Sequence, residues 1–185
     1  MSGINVLQPV GLVMERSRSW PQSIREFEAL VDTYQHRLVQ FAFCRLQSLA
    51  DAEDVVQDVL VQAYREREKR KDVGNVAAFL YRMVANRSTD VARRRKHAAA
   101  PLEGVEIAAP EGVAAESATQ QRRIEGLLGR LPARQAEVIR LRVYGELPFE
   151  AIAQAAGCTV PTVKSRFRYG IQKLRRILKR SGGER

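Results

Sequence analysis

The chain of 185 residues carries 31 Lys and Arg against 21 Asp and Glu, a formal charge of +10, with 45% hydrophobic and 28% charged residues. That length suits one ordinary domain or two small ones, and the mixture excludes a disordered chain. The cationic excess favours a polyanionic partner, because Lys and Arg release counterions condensed on phosphates.

Residues 1–22 read as an N-terminal tail, since Asn5, Gln8, Pro9 and Gly11 interrupt a mildly apolar start. The start lacks a signal-peptide pattern and no apolar run is long enough for a bilayer, so a cytoplasmic protein without membrane insertion is expected. Ser23 with Glu26 fits a capping box, in which each side chain satisfies an amide at the helix start. Phe27, Leu30, Val31, Tyr34, Leu38 and Phe41 follow at helical spacing to about Leu46. After a break near residues 48–50, Asp51 is expected to cap a second helix with Asp54 in its first turn. Its apolar stripe is Val55, Val56, Val59, Leu60 and Ala63, and its opposite face carries Asp54, Gln57 and Asp58.

A charge run over 65–72 and a turn at Gly74-Asn75 precede a third helix. This helix turns Phe79, Leu80, Met83, Val84 and Val91 inward and ends in the basic block Arg93, Arg94, Arg95 and Lys96. Composition then shifts to Ala, Pro, Gly and Glu over 98–117, with Glu103, Glu106, Glu111 and Glu116 lacking basic neighbours. A linker there would let two domains move independently. A short helix is expected over 118–128, stopped by Gly129, and Pro132 can open the next, which carries Val138, Ile139, Leu141 and Val143. Nothing alternates with period two, so the expected fold class is all-α. Cys44 and Cys158 lie far apart without CxxC spacing, and His36 and His97 are isolated. No metal site, cofactor or catalytic group is assigned, and an enzyme is not expected.

The C-terminal part follows the logic of a helix-turn-helix over 149–168. Ile152 and Ala153 face inward on its first helix, Gly157 supplies the turn, Thr159 caps the second helix, and Pro161 is tolerated in its first turn. Val163 and Phe167 point into the core, and Ile171, Leu174 and Leu178 extend that stripe. At about 100° per residue, Ser165, Arg168 and Tyr169 lie opposite, Lys164 and Arg166 flank them, and Pro161 and Thr162 form the tip. In such motifs the tip and outer face enter the major groove, where arginine bonds guanine and lysines hold phosphates. Lys173, Arg175, Arg176, Lys179 and Arg180 continue the basic surface. Solvation of a basic amphipathic helix is the plainer alternative.

The segment "LPARQAEVIRLRVYGELPFEAIAQAAGCTVPTVKSRFRYGIQKLR" resembles region 4 of extracytoplasmic-function (ECF) sigma factors, the ECF branch of the sigma-70 family. "DAEDVVQDVLVQAYR" resembles region 2.2, and "FLYRMVANRSTDVARRR" resembles regions 2.3 and 2.4. The resemblance spans roughly 24–180 in the family's order and implies a promoter-specificity subunit with two helical domains. Region 2 would occupy 23–97, the linker 98–117 and region 4 118–182. Core RNA polymerase would be the partner, region 2 docking on the beta-prime clamp helices through Asp54, Gln57 and Asp58, and region 4 on the beta flap.

The third helix would contact the −10 element through Asn86, with Arg82, Arg93 and Arg94 on phosphates. Asp90 matches a frequent family aspartate and equally suits a helix-internal ion pair. The recognition helix would read the −35 element through Pro161, Thr162, Lys164, Ser165, Arg166, Arg168 and Tyr169. The acidic linker would run toward the polymerase active-site and RNA-exit region, and an anti-sigma factor is a partner common in this family. Phe79 stands where many members have Trp, and the 65–72 loop lacks an aromatic that some relatives use near the flipped −10 base. The alternatives are a free-standing helix-turn-helix regulator, which would not need the Asp54-Gln57-Asp58 face, and a non-specific packaging protein.

Overall fold

A computed structural model of the chain describes residues 20–70, 73–98 and 113–182. Within them lie seven α-helices and one 3-10 turn: α1 (Ile24–Leu46), α2 (Leu49–Glu66), the 3-10 turn (Arg67–Arg70), α3 (Val76–Ala98), α4 (Val113–Leu128), α5 (Ala133–Val143), α6 (Phe149–Ala156) and α7 (Val160–Gly182). Among the described residues no helix is long and apolar enough to cross a membrane. Glu103, Glu106 and Glu111 fall outside them, as does nearly all of the N-terminal tail.

The start of α1 has the expected Ser23 cap, but the return bond of the capping box is displaced by one residue, to the Gln22 amide. The Ser23 hydroxyl accepts the Glu26 amide at 3.2 Å, and the Glu26 carboxylate accepts the Gln22 amide at 2.7 Å. Its end is Gln47, whose left-handed φ of 56° lets its amide close on the Phe43 carbonyl. Because that reversal takes one residue, α2 begins at Leu49, earlier than the sequence suggests. Its cap is Ser48, whose hydroxyl accepts the Asp51 amide at 3.4 Å, and not Asp51. Asp51 instead faces Arg95 at the end of α3 in an ion pair. Asn75 caps α3 by accepting the Ala78 amide at 2.9 Å.

Helices α1, α2 and α3 close around Leu38, Phe41, Ala42, Val56, Val59, Leu80 and Val84, all essentially inaccessible to water. Trp20 belongs to this core. It is 1% exposed and meets the Phe79 ring edge-on, centroids 5.4 Å apart. The expected tail thus ends at least three residues earlier than 22, because Pro21 and Trp20 are both buried. Helix α4 starts at Val113, inside the stretch read as linker, so the connector is shorter than composition implied.

Helices α5, α6 and α7 form the C-terminal unit, with α4 against α7. A small cluster of Leu128, Leu131, Ala136 and Ile139 holds α4 to α5, with Ile171 and Leu174 packed on it. Arg140 of α5 reaches Glu125 of α4 at 2.6 Å, both side chains mostly buried. Burial lowers the Arg140 pKa, yet its bonds to Glu125 outweigh that and raise it overall. Leu178 departs from expectation: it is 49% exposed, at the rim of an open groove between α7 and α4.

The two halves are not separated. Val138, Leu141, Leu147, Ala151, Ile152, Ala153 and Val163 of the C-terminal half share one continuous core with α1–α3, and α6 lies on α3. The reason is legible in α6, FEAIAQAA, whose apolar residues are not confined to one stripe. A helix apolar on more than one side must be covered on more than one side. Here α7 takes one side and α3 the other. The independent movement expected of the halves does not describe this packed arrangement.

Candidate nucleic-acid interface

The turn between α6 and α7 is set by Gly157, at φ 60° and ψ 42°, a left-handed conformation that glycine adopts without a Cβ penalty. Its amide closes on the carbonyls of α6. Thr159 accepts the Thr162 amide at 3.4 Å and shares a hydroxyl–hydroxyl bond with Thr162 at 2.9 Å, so α7 is capped as expected. Val163 is fully buried, and Phe167 packs edge-on to Phe149, 5.6 Å between centroids. These contacts fix the rotation of α7.

With that rotation, Pro161, Lys164, Arg168 and Tyr169 are exposed, while Thr162 and Ser165 are half-buried beside them. Arg168 lies over the Tyr169 ring at 5.1 Å, which pre-orders the pair. The Lys164 ammonium lies 6.0 Å from the Phe149 ring. Arg166 departs from the group. It reaches back 3.4 Å to the Cys158 sulfur and lines a cleft of about 540 Å³ between the two halves of the chain.

The opposite wall of that cleft is α3. Arg82 and Asn86, one turn apart, line it with Ala85 and Thr89, facing Ala133, Arg134 and Glu137 of α5. The basic block at the end of α3 divides by partner. Arg93 bonds Asp90 at 2.9 Å, so Asp90 takes the helix-internal pairing that its spacing allowed. Arg95 belongs to Asp51. Arg82 and Arg94 have no ion pair among the described residues and are exposed.

The acidic face of α2 is open to solvent: Asp54, Gln57 and Asp58 are all exposed. Asp58 bonds Arg87 of α3 at 2.7 Å, and Gln57 borders a groove that also holds Asp32, Gln35, His36 and Glu53. Sequence reasoning missed two residues that matter to this arrangement. Arg45 and Glu137 form an ion pair across the halves, and neither has a local pattern that would reveal it.

Two family models match the chain: sigma-70 region 2 over residues 30–98, and sigma-70 region 4 over residues 127–176. The RNA polymerase sigma-E factor of Streptomyces coelicolor is 30% identical over 84% of this chain and 87% of its own length. The chain belongs to the sigma-70 family. Within it the relatives are ECF sigma factors, among them SigM of Mycobacterium tuberculosis, 31% identical over 82% of this chain and 76% of its own. The solved fold of sigma factor RpoE from Bartonella quintana, determined with the anti-sigma factor NepR, superposes with a TM-score of 0.65 at 24% identity, covering 84% of this chain and 98% of that one. CnrH, solved with the cytosolic domain of CnrY, gives a TM-score of 0.67 at 24% identity, covering 85% of this chain and 90% of that one. Region 2 of this sigma factor is therefore the α1–α3 unit, and region 4 contains the helix-turn-helix.

Proposed function

We infer that the chain acts as the promoter-specificity subunit of RNA polymerase, binding the core enzyme and directing initiation without catalysis of its own. The observation that carries this is the presence of both sigma regions in one chain, in family order. Its place of work is the cytoplasm, with the polymerase.

Three surfaces divide the labour. The Asp54, Gln57 and Asp58 face offers carboxylates and an amide to an arginine-rich partner, for which charge-assisted bonds suit the beta-prime clamp helices. Asn86, with donor and acceptor on one amide, reads a base edge of the opened −10 element while Arg82 and Arg94 hold phosphates. Lys164, Arg168 and Tyr169, with the Pro161–Thr162 tip, enter the major groove at −35. Region 4 also meets the beta flap. A free-standing regulator would have no use for the solvated acidic face of α2. An anti-sigma factor is the remaining partner class, by analogy with the relative solved with NepR.

Reconstitution with core polymerase and promoter DNA tests the reading. Specific initiation that depends on this chain supports it; a chain that neither binds core nor directs initiation overturns it.

A further inference from the structure

Four guanidinium groups line the cleft between the regions: Arg45, Arg82, Arg134 and Arg166. Glu137 is the one carboxylate on its lining, and Arg45 takes it as an ion pair. The other bonds of Arg45 go to the Ala85 carbonyl at 3.2 Å and the Thr89 hydroxyl at 2.9 Å. The three remaining arginines have no ion pair among the described residues, and Arg166 reaches only the Cys158 sulfur. A cleft lined by one sign of charge focuses its field and concentrates ions of the other sign.

The amino end of α5 adds to that field. Its N-cap is Pro132, which supplies no side-chain bond, and Ala133 and Arg134 of its first turn are on the lining. The leading amides of a helix have no partner within it and carry the positive end of its dipole, an arrangement that holds phosphate. Elsewhere the lining is small or apolar. Ala85 on the region 2 side, with Ala133, Ala155 and Ala156 on the region 4 side, leaves walls without bulky side chains. Tyr81 also borders the cleft and is fully buried, its ring so near Gly145 that a Cβ there would stand 3.2 Å away. Packed from behind in this way, the floor does not fold inward, and the space of about 540 Å³ is preformed at the size of a small-molecule site. The side-chain amide of Asn86 has a donor and an acceptor there with no partner among the described residues.

We propose that this cleft binds a nucleoside di- or triphosphate. The phosphates lie against Arg134, Arg166 and the amino end of α5, and the base lies between the alanine walls with its edge toward Asn86. Three unpaired guanidinium groups suit the charge of such a ligand at neutral pH. Arg82 and Asn86 are also assigned to the −10 element, so on the sigma-factor reading a bound nucleotide and the −10 strand exclude one another. The site itself does not depend on that reading, and its test therefore contains neither polymerase nor promoter.

The full-length chain is titrated calorimetrically with ATP, GTP, pyrophosphate and adenosine at about 0.15 M salt, which screens attraction to exposed charges. ATP or GTP should bind saturably, and pyrophosphate and adenosine at least about tenfold more weakly. R134A/R166A should weaken the nucleotide at least about tenfold through the loss of charge-assisted bonds. K173A/R176A removes the same charge from the exposed side of α7, outside the cleft, and should bind as wild type does. Saturating nucleotide should also slow alkylation of Cys158, which lines the cleft, while Cys44, 2% exposed, stays unlabelled throughout. Absence of saturable nucleotide binding below about 1 mM overturns the proposal. So does a folded R134A/R166A that binds as wild type does, pyrophosphate that binds as tightly as nucleotide, or Cys158 labelling that nucleotide leaves unchanged. A loss in K173A/R176A as large as in R134A/R166A assigns the binding to net charge and overturns it too. Should R134A/R166A not fold by circular dichroism, protection of Cys158 in wild type decides alone.

Discussion

Asp58 on the acidic face of α2 is bonded at 2.7 Å to Arg87 of α3, the helix assigned to the −10 element. The two side chains are 60% and 41% exposed. An ion pair so open to water contributes between about 0 and 1 kcal/mol to stability. Asp58→Ala and Asp54→Ala should therefore leave the thermal midpoint within a few degrees of wild type while weakening core binding. Calorimetry alongside a core-binding titration checks this. A large drop in midpoint without a binding defect would assign the face a structural role.

Lys164→Ala and Arg168→Ala should each weaken binding to −35 duplex by about 1–3 kcal/mol. Where the lost contact is a phosphate, the slope of log affinity against log salt should flatten by about 0.9. Arg166→Ala should do less, because its side chain is turned toward Cys158 and the inter-region cleft. Fluorescence anisotropy at three salt concentrations would separate the cases, and an Arg166 effect equal to the others would contradict the assignment.

Trp20→Ala should destabilise region 2 by about 3–5 kcal/mol, the range for emptying a large aromatic site. Trp20→Phe should cost much less, since the indole nitrogen has no hydrogen-bond partner to lose. Chemical denaturation followed by far-ultraviolet circular dichroism measures both. Equal losses would mean that the indole, and not ring bulk against Phe79, is what the site requires.

Gly157→Ala should cost about 1–2 kcal/mol, because the position is left-handed and otherwise uncrowded. Glu125→Ala should cost about 2–3 kcal/mol, a little below the range for a fully buried charge losing its partner. Both should act on region 4, so protease protection of the α4–α7 segment is the appropriate measurement. Protection unchanged in both variants would contradict the structural roles given to the turn and to the Glu125–Arg140 pair.

What could be read from the sequence was local. The Ser23 cap, the end of α1 at Leu46, Gly157 and the Thr159 cap are decided within four or five residues, and so are the faces of α2 and α7. What could not be read depends on partners distant in the chain. Ser48 outcompetes Asp51 as a cap because Asp51 has Arg95, 44 positions later, as its partner. Trp20 looked like part of an irregular tail because it precedes any periodic segment, and only Phe79 on α3 gives it a place. Leu178 continues the stripe of α7 in pattern but borders an open groove with Arg123, Gly126 and Leu127 of α4, which leaves it half exposed. The seam between the regions had one hint, the apolar breadth of α6, and pattern alone does not say which helix covers the second side.

The shared core also sets an order of events during synthesis. Tyr81 is translated some sixty residues before Gly145, which at about 5–20 residues per second leaves its seam uncovered for roughly 3–12 s. A nascent region 2 would meet the ribosome exit and its chaperones with an aromatic patch bare. Arrest of translation between the two regions should therefore yield a species more prone to aggregate than the finished chain.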